Sequence, residues 1–359
     1  MRCAVFQRRR RREHVMELRT TVRRVKELDI VELPELILGG ATLSPRYIDD
    51  PYEVPTLGLV RRALEAGICA IDTSPYYGKS EEIYGEALAA VRDEHPRETY
   101  FICTKVGREG PSDFDYSAAH VRASVHRSCA RLHTEYLDLV YLHDIEFVEA
   151  AGIWEALQEL RRLKDEGVIR FFGISGYPVE LLQEVSEQAC ERPDVGPLDA
   201  VLTYCQLTLQ SVRLLEQEER FFRQSRVRVL GNSSIVGMRL LRSGGPRPFH
   251  PASVELRQCA EEAAEYCAAH GTDLADLATR YSLAEWHGRG PTVLGVSTMD
   301  ELERALKNYH LVLEQGGLSE KDTALVEHIQ KRIFADHLNE NWPSGLWSRF
   351  LRRPGAVPT

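Results

Sequence analysis

The 359-residue sequence has no run apolar enough to cross a membrane. Its longest stretch free of Asp, Glu, Lys and Arg, 200–212, spans 13 residues and contains Thr and Gln. No apolar core of a secretory signal follows the first basic residues, so export is not expected, and the Arg-rich start lacks the Ser enrichment of a transit peptide. The eight cysteines include no C-x-x-C pair, which argues against a zinc ribbon or a redox dithiol and points to reduced thiols in a reducing compartment. No strand-like run leads into G-x-G-x-x-G, so a doubly wound dinucleotide-binding sheet is disfavoured. There is no repeat of 20–50 residues, and no Pro/Gly/Ser-rich linker divides the chain.

What is present is globular composition, 43% hydrophobic and 28% charged. The net charge of −9 is unevenly spread: the first 24 residues hold nine Arg against Glu13 and Glu17, a surplus of +7 that leaves the remaining chain at −16. A body so acidic is a poor partner for nucleic acid or an anionic membrane surface. Eight apolar, β-branched runs read as strands: 35–41, 69–74, 99–106, 136–144, 168–176, 199–206, 227–234 and 291–297. Helical patterns lie between them, at 55–67, 118–133 and 153–167, the first and third ending at Gly67 and Gly167. The seventh interval is long enough for two helices, 254–271 and 273–286, and a charged helix near 319–338 follows the last strand. Eight strands alternating with helices over about 260 residues match an α/β (β/α)8 TIM barrel, with extra helices before the eighth strand and at the C-terminus.

In such a barrel the C-terminal strand ends face the active site. Those ends carry Asp72, Lys105, His143, Ser175–Gly176, Gln206, Asn232–Ser233–Ser234 and Gly295–Val296–Ser297, with Tyr77 in the loop after Asp72. Each has an ordinary reading: Asp72-Thr-Ser-Pro as turn chemistry, Lys105 as a strand terminus, His143 and Tyr77 as packed side chains. Together they make a chemical set. A phenol transfers protons poorly at neutral pH, a neighbouring ammonium favours the phenolate, a carboxylate holds the ammonium, and an imidazole orients the reacting oxygen. That set performs proton transfer at a carbonyl or alcohol and needs a hydride partner.

The stretches GICAIDTSPYYGKSE, CTKVG, LDLVYLHD, RFFGISGY and VLGVSTMDEL resemble the aldo-keto reductases, a (β/α)8-barrel family that uses nicotinamide cofactors. The resemblance spans 34–345, which sets apart 1–33 as a basic extension, flexible or in part a gene-model artefact, and 346–359 as a tail. It implies a catalytic tetrad of Asp72, Tyr77, Lys105 and His143, with Tyr77 as general acid/base. Similarity to the sugar-oxidising branch implies hydride transfer from the anomeric carbon of an aldose, D-arabinose foremost, to give an aldonolactone. Implied cofactor positions are Gly40, Asp72, Ser175, Gly176, Gln206, Asn232, Ser233, Ser234, Gly295, Val296, Ser297 and Glu301. Gly176 stands where many members have Asn, and Ser233 where a Tyr usually stacks on the nicotinamide. No Lys or Arg occurs from Pro291 to Glu303, and Glu301 is placed to repel a 2′-phosphate, so NAD is expected over NADP. The alternative for Glu301 is a first-turn helix acid, with Arg304 supplying charge.

Two other functions compete: a nicotinamide-binding regulatory barrel without turnover, and a glycosidase using Asp72 and Glu146. The first is disfavoured because no tetrad member is lost, the second because it leaves Lys105 and Tyr77 idle. His143-Asp144-x-Glu146 offers three potential ligands in four residues, but a strand points Asp144 away from His143 and no metal is expected. The remaining expectations are a small sugar substrate, a cytoplasmic location, and a monomer or weak homo-oligomer.

Overall fold

All eight expected strands form in the computed structural model, which describes residues 27–346. They are β1 (Leu36–Gly39), β2 (Ala70–Asp72), β3 (Phe101–Val106), β4 (Leu137–His143), β5 (Ile169–Gly176), β6 (Ala200–Tyr204), β7 (Val229–Ser233) and β8 (Thr292–Gly295). They pair in parallel in chain order, and β8 returns to β1 with Leu36 opposite Thr292 and Gly39 opposite Gly295, closing the barrel. Alternation along the strands sorts two apolar sets. Ile37, Ala70, Phe101, Cys103, Leu139 and Tyr141 fill the barrel interior. Leu36, Leu38, Ile71, Ile102 and Val140 pack outward against the helices. Both faces are buried, which is why the strands read as continuous apolar runs.

The helices are α1 (Thr56–Glu65), α2 (Ser80–Ala90), α3 (Ala118–Arg131), α4 (Ala150–Asp165), α5 (Val179–Cys190), α6 (Arg213–Arg223), α7 (Val254–Ala269), α8 (Leu274–Trp286), α9 (Met299–Gln315) and α10 (Glu320–His328). Gly67 and Gly167 follow α1 and α4 with φ of +85° and +78°, the left-handed stop their positions imply. The seventh interval holds α7 and α8 as expected. The helix expected over 319–338 is shorter: α10 ends at His328 and gives way to a π-turn over Ile329–Phe334.

The barrel begins earlier than the sequence assignment, whereas at the C-terminal end the contacts run a single residue past the assigned boundary at 345. The 3₁₀ turn Ile30–Glu32, capped by Asp29, sets Ile30 and Leu33 into the interior cluster, so the last residues given to the extension are the barrel's floor. At the other end Trp342 stacks on Tyr177 at 4.7 Å, and the Ser344 hydroxyl and Leu346 amide bind Glu146, drawing the chain over the C-terminal rim. Residues 1–26 and 347–359, most of the extension and tail, lie outside the described residues.

Candidate active site

Strand ends and one short turn bring the four tetrad candidates together. β2 ends on Asp72 and β3 carries Lys105, whose Nζ donates to Asp72 Oδ1 at 2.5 Å and to the Thr73 carbonyl at 3.0 Å. The loop after β2 caps itself: Ser74 Oγ accepts from the Tyr76 amide, and Pro75 opens a 3₁₀ turn that ends on Tyr77. The Lys105 ammonium lies 4.9 Å from the centre of the Tyr77 ring. His143 ends β4, its ring 5.6 Å from that of Tyr77 and nearly perpendicular to it. The Tyr116 hydroxyl donates to the His143 carbonyl at 2.6 Å and fixes the backbone there.

The side-chain partners also fix protonation. Burial of Lys105 favours loss of its proton, but the adjoining Asp72 carboxylate outweighs it and holds the pKa above its ordinary value. Burial pushes Tyr77 up to about 12; Lys105 pulls the other way, while the Asp72 and Asp144 carboxylates add to the rise. The ammonium does act on the phenol in the expected sense, but burial wins, and the resting form is the phenol. Burial drives His143 down to about 3, aided by Lys105 and Arg108 and opposed by Asp144, so the imidazole is neutral across the physiological range. Ser74 Oγ lies 2.9 Å from His143 Nδ1 and already accepts the Tyr76 amide. The Asp144 carboxylate, 3.5 Å from Nε2, is the acceptor that favours the ring proton on that nitrogen, and the Ser74 hydroxyl then donates to Nδ1.

Beside these groups lies a cavity of about 440 Å³ that runs from Tyr77 and His143 along β8 and β1 to Arg304 and Asn308. Of the expected cofactor positions, Asp72, Ser175, Ser233 and Ser234 line it, as do Gly295, Val296, Ser297 and Glu301. Gly40, Gly176, Gln206 and Asn232 are not among the lining residues. At Gly40 a Cβ would press on Ser80 and Tyr84, so packing requires that glycine. At Gly176 a Cβ would lie 2.4 Å from Glu146 Oε2, which fills the space an Asn side chain would enter. Gln206 gives one amide bond to Asn341, while its Oε1 is buried without a donor. Glu301 accepts from the Ser297 amide and hydroxyl and pairs with Arg242 at 2.7 Å; despite burial, these partners hold its pKa below the ordinary range.

The model of the aldo/keto reductase family matches residues 35–325. The chain belongs to the aldo/keto reductase family. It is 55% identical over 325 residues to the D-arabinose 1-dehydrogenase of Saccharomyces cerevisiae, covering 90% of this chain and 97% of that one. It is 34% identical to the L-galactose dehydrogenase of Arabidopsis thaliana over 86% of this chain and 91% of the relative. Among solved structures, an aldo-keto reductase of Bacillus halodurans in its holo form shares the fold at a TM-score of 0.62, with 23% identity over 86% of this chain and 96% of that one.

This aldo/keto reductase also holds site residues that the sequence did not mark. Asp144 was expected to point away from His143, as neighbours on a strand do. The strand stops at His143, however, and Asp144 turns into the left-handed region at φ 57°, ψ 60°, carrying its Oδ2 to within 3.5 Å of His143 Nε2. Arg108, two residues past β3, pairs with it. Ser74 was read as turn chemistry and does that work, but it also holds His143. Arg242 arrives from the loop after β7, too far in sequence from Glu301 for a local pattern to show the pair. Arg304 lines the cavity but is bound to Asp273 and Asp276. Among the described residues, no group of three His, Cys, Asp or Glu is arranged to hold a metal.

Proposed function

We propose that the protein oxidises the anomeric carbon of an aldose, D-arabinose first, with NAD as the hydride acceptor, to give an aldonolactone. The observation that carries this reading is the buried Asp72–Lys105 pair against Tyr77, with neutral His143 opposite, at one end of a cavity that extends far beyond a sugar's size. The substrate choice rests on the yeast relative, a D-arabinose 1-dehydrogenase.

The residues present fit a nicotinamide dinucleotide. Ser175, paired with His143 in the β4–β5 register, lines the cavity wall beside it, and Gln206 Oε1, buried just behind that wall's strands without a donor, is an unused acceptor although it does not line the cavity. The distal end holds three carboxylates, Glu301, Asp273 and Asp276, against two guanidinium groups, Arg242 and Arg304. Arg242 and Arg304 are thus already held by carboxylates, which favours NAD over a cofactor with a 2′-phosphate, although Arg239 also lines the cavity. A bound nicotinamide would supply the acceptor for the C1 hydride. His143 Nε2–H donates to the anomeric oxygen and orients it. Tyr77, as phenolate, removes the hydroxyl proton as the C1–H bond breaks, and Lys105 stabilises that phenolate because Asp72 keeps it charged. The acidic body is a poor partner for nucleic acid and agrees with a small neutral substrate. The seven described cysteines, all unpaired, support a cytoplasmic setting. Among the described residues, no helix is long and apolar enough to cross a membrane.

The test is NADH formation at 340 nm with D-arabinose, L-galactose and L-fucose against NAD and NADP. Turnover with NAD is expected, and Tyr77→Phe should lower kcat by about 10²–10⁴-fold while cofactor binding, followed by fluorescence, persists. No reduction of either cofactor by any aldose overturns the reading, and near-normal turnover in Tyr77→Phe removes Tyr77 from its role.

A further inference from the structure

One buried ion pair on the cavity wall neither gives nor takes a proton in the proposed reaction, though its charges act on Tyr77 and His143. Asp144 and Arg108 are both buried and both line the cavity. Arg108 is fully engaged: its guanidinium lies 4.0 Å over the Tyr76 ring, is flanked by Phe114 and Phe147, and donates to Asp144 Oδ2 and to the carbonyls of Gly110 and Pro111. It is a fixed anchor. Asp144 is not fully engaged, for its Oδ1 accepts no hydrogen bond among the described residues, although only 4% of the residue is exposed. An uncommon left-handed backbone holds this carboxylate beside His143 Nε2, where the reacting oxygen would sit.

From this placement we infer that Asp144, anchored by Arg108, is a specificity-determining residue that accepts a hydrogen bond from the hydroxyl on the carbon next to the one oxidised. The inference rests on the aldose-dehydrogenase reading above. A carboxylate only accepts, so it discriminates between the two neighbours of C1 in a cyclic aldose: the ring oxygen has no proton to give, and the C2 hydroxyl has one. A hydrogen bond to a charged acceptor in a buried site is among the stronger ones, and a sugar without its donor leaves Asp144 Oδ1 desolvated and unpaired. Asp144 thereby also sets which face of the sugar ring meets the hydride acceptor, since C1 and C2 are pinned together.

The experiment compares the aldose oxidised fastest with its 2-deoxy analogue, which for D-arabinose is 2-deoxy-D-ribose, in wild type and in Asp144→Ala. The wild-type kcat/KM should fall about 10- to 100-fold on loss of the C2 hydroxyl. Removing that electron-withdrawing group makes hydride loss from C1 easier, so such a fall cannot come from intrinsic reactivity. In Asp144→Ala the two sugars should be used nearly equally, with NAD binding by fluorescence quenching unchanged. Equal use of both sugars by the wild type overturns the inference without any variant, as does a parent-to-deoxy ratio that survives in a folded Asp144→Ala protein. An enzyme that forms NADH from no aldose overturns the dehydrogenase reading instead, and this inference with it.

Discussion

Tyr77 sits between two opposing influences, and Lys105 decides how far the balance moves. Burial alone would leave the phenol too weak an acid to serve as a base, and Lys105 is the cation the structure places against it. In the oxidation proposed above the working form is the phenolate, so kcat/KM should climb with pH until the phenol is ionised. Lys105→Met removes the opposing charge and raises the phenol's pKa further. The ascending limb should then move up by about one pH unit or more, with lower activity throughout. An unmoved limb in a pH profile of this variant would show that Lys105 does not tune Tyr77. His143, held neutral, should add no limb between pH 5 and 8. The identities of Asp72, Tyr77, Lys105 and His143 were legible in the sequence because each falls at or just after a strand end. The resting state of Tyr77 was not, because desolvation depends on everything packed around the ring.

Strands were the most legible elements, since burial on both faces leaves an unbroken apolar signature. Helices α2, α5, α6 and α9 gave no bounded pattern. α2 is a case in point: Ser80 and Glu81 are buried in its first turn, so polarity does not mark its outer face. The short turn Ile30–Glu32 was assigned to the extension because three residues carry no period at all. Its role follows from Ile30 having 0% exposure inside the barrel-interior cluster. Ile30→Ala should cost about 2–5 kcal/mol in urea unfolding, while kcat/KM stays near wild type because the floor lies at the opposite end from the site. A loss below about 1 kcal/mol would mean the barrel closes without its floor.

The C-terminal segment ties the rim together over a long range, Ser344 reaching Glu146 from 198 residues away. Glu146 Oε1 receives the Tyr177 amide and the Ser344 hydroxyl, its carbonyl receives the Leu346 amide, and Oε2 has no partner. Burial pushes its pKa up to about 8, with the Asp144 charge adding to the rise. A carboxyl with a raised folded pKa is stabilising as the neutral acid below about pH 4.5, and that contribution is lost as pH rises through 8. Glu146→Gln has no proton to lose. Its Tm relative to wild type should therefore rise by a few degrees between pH 5 and pH 8 in thermal melts. A difference that stays flat over that window would place the Glu146 carboxyl in contact with solvent.

The sequence by itself determined the barrel, its strand order, the family and the four candidate groups gathered at one rim, because these depend on local apolar patterning and on residues at strand ends. The opening absences, no membrane-length run, no C-x-x-C pair and no G-x-G-x-x-G after a strand, are properties of the sequence alone. Tertiary structure decided the rest. It placed Arg242 on Glu301 from 59 residues away and Ser74 on His143 from 69. It also turned Asp144 back toward the imidazole it was expected to avoid. Those outcomes depend on where a strand stops and on which charges burial brings together. Such distances are set only when the barrel closes.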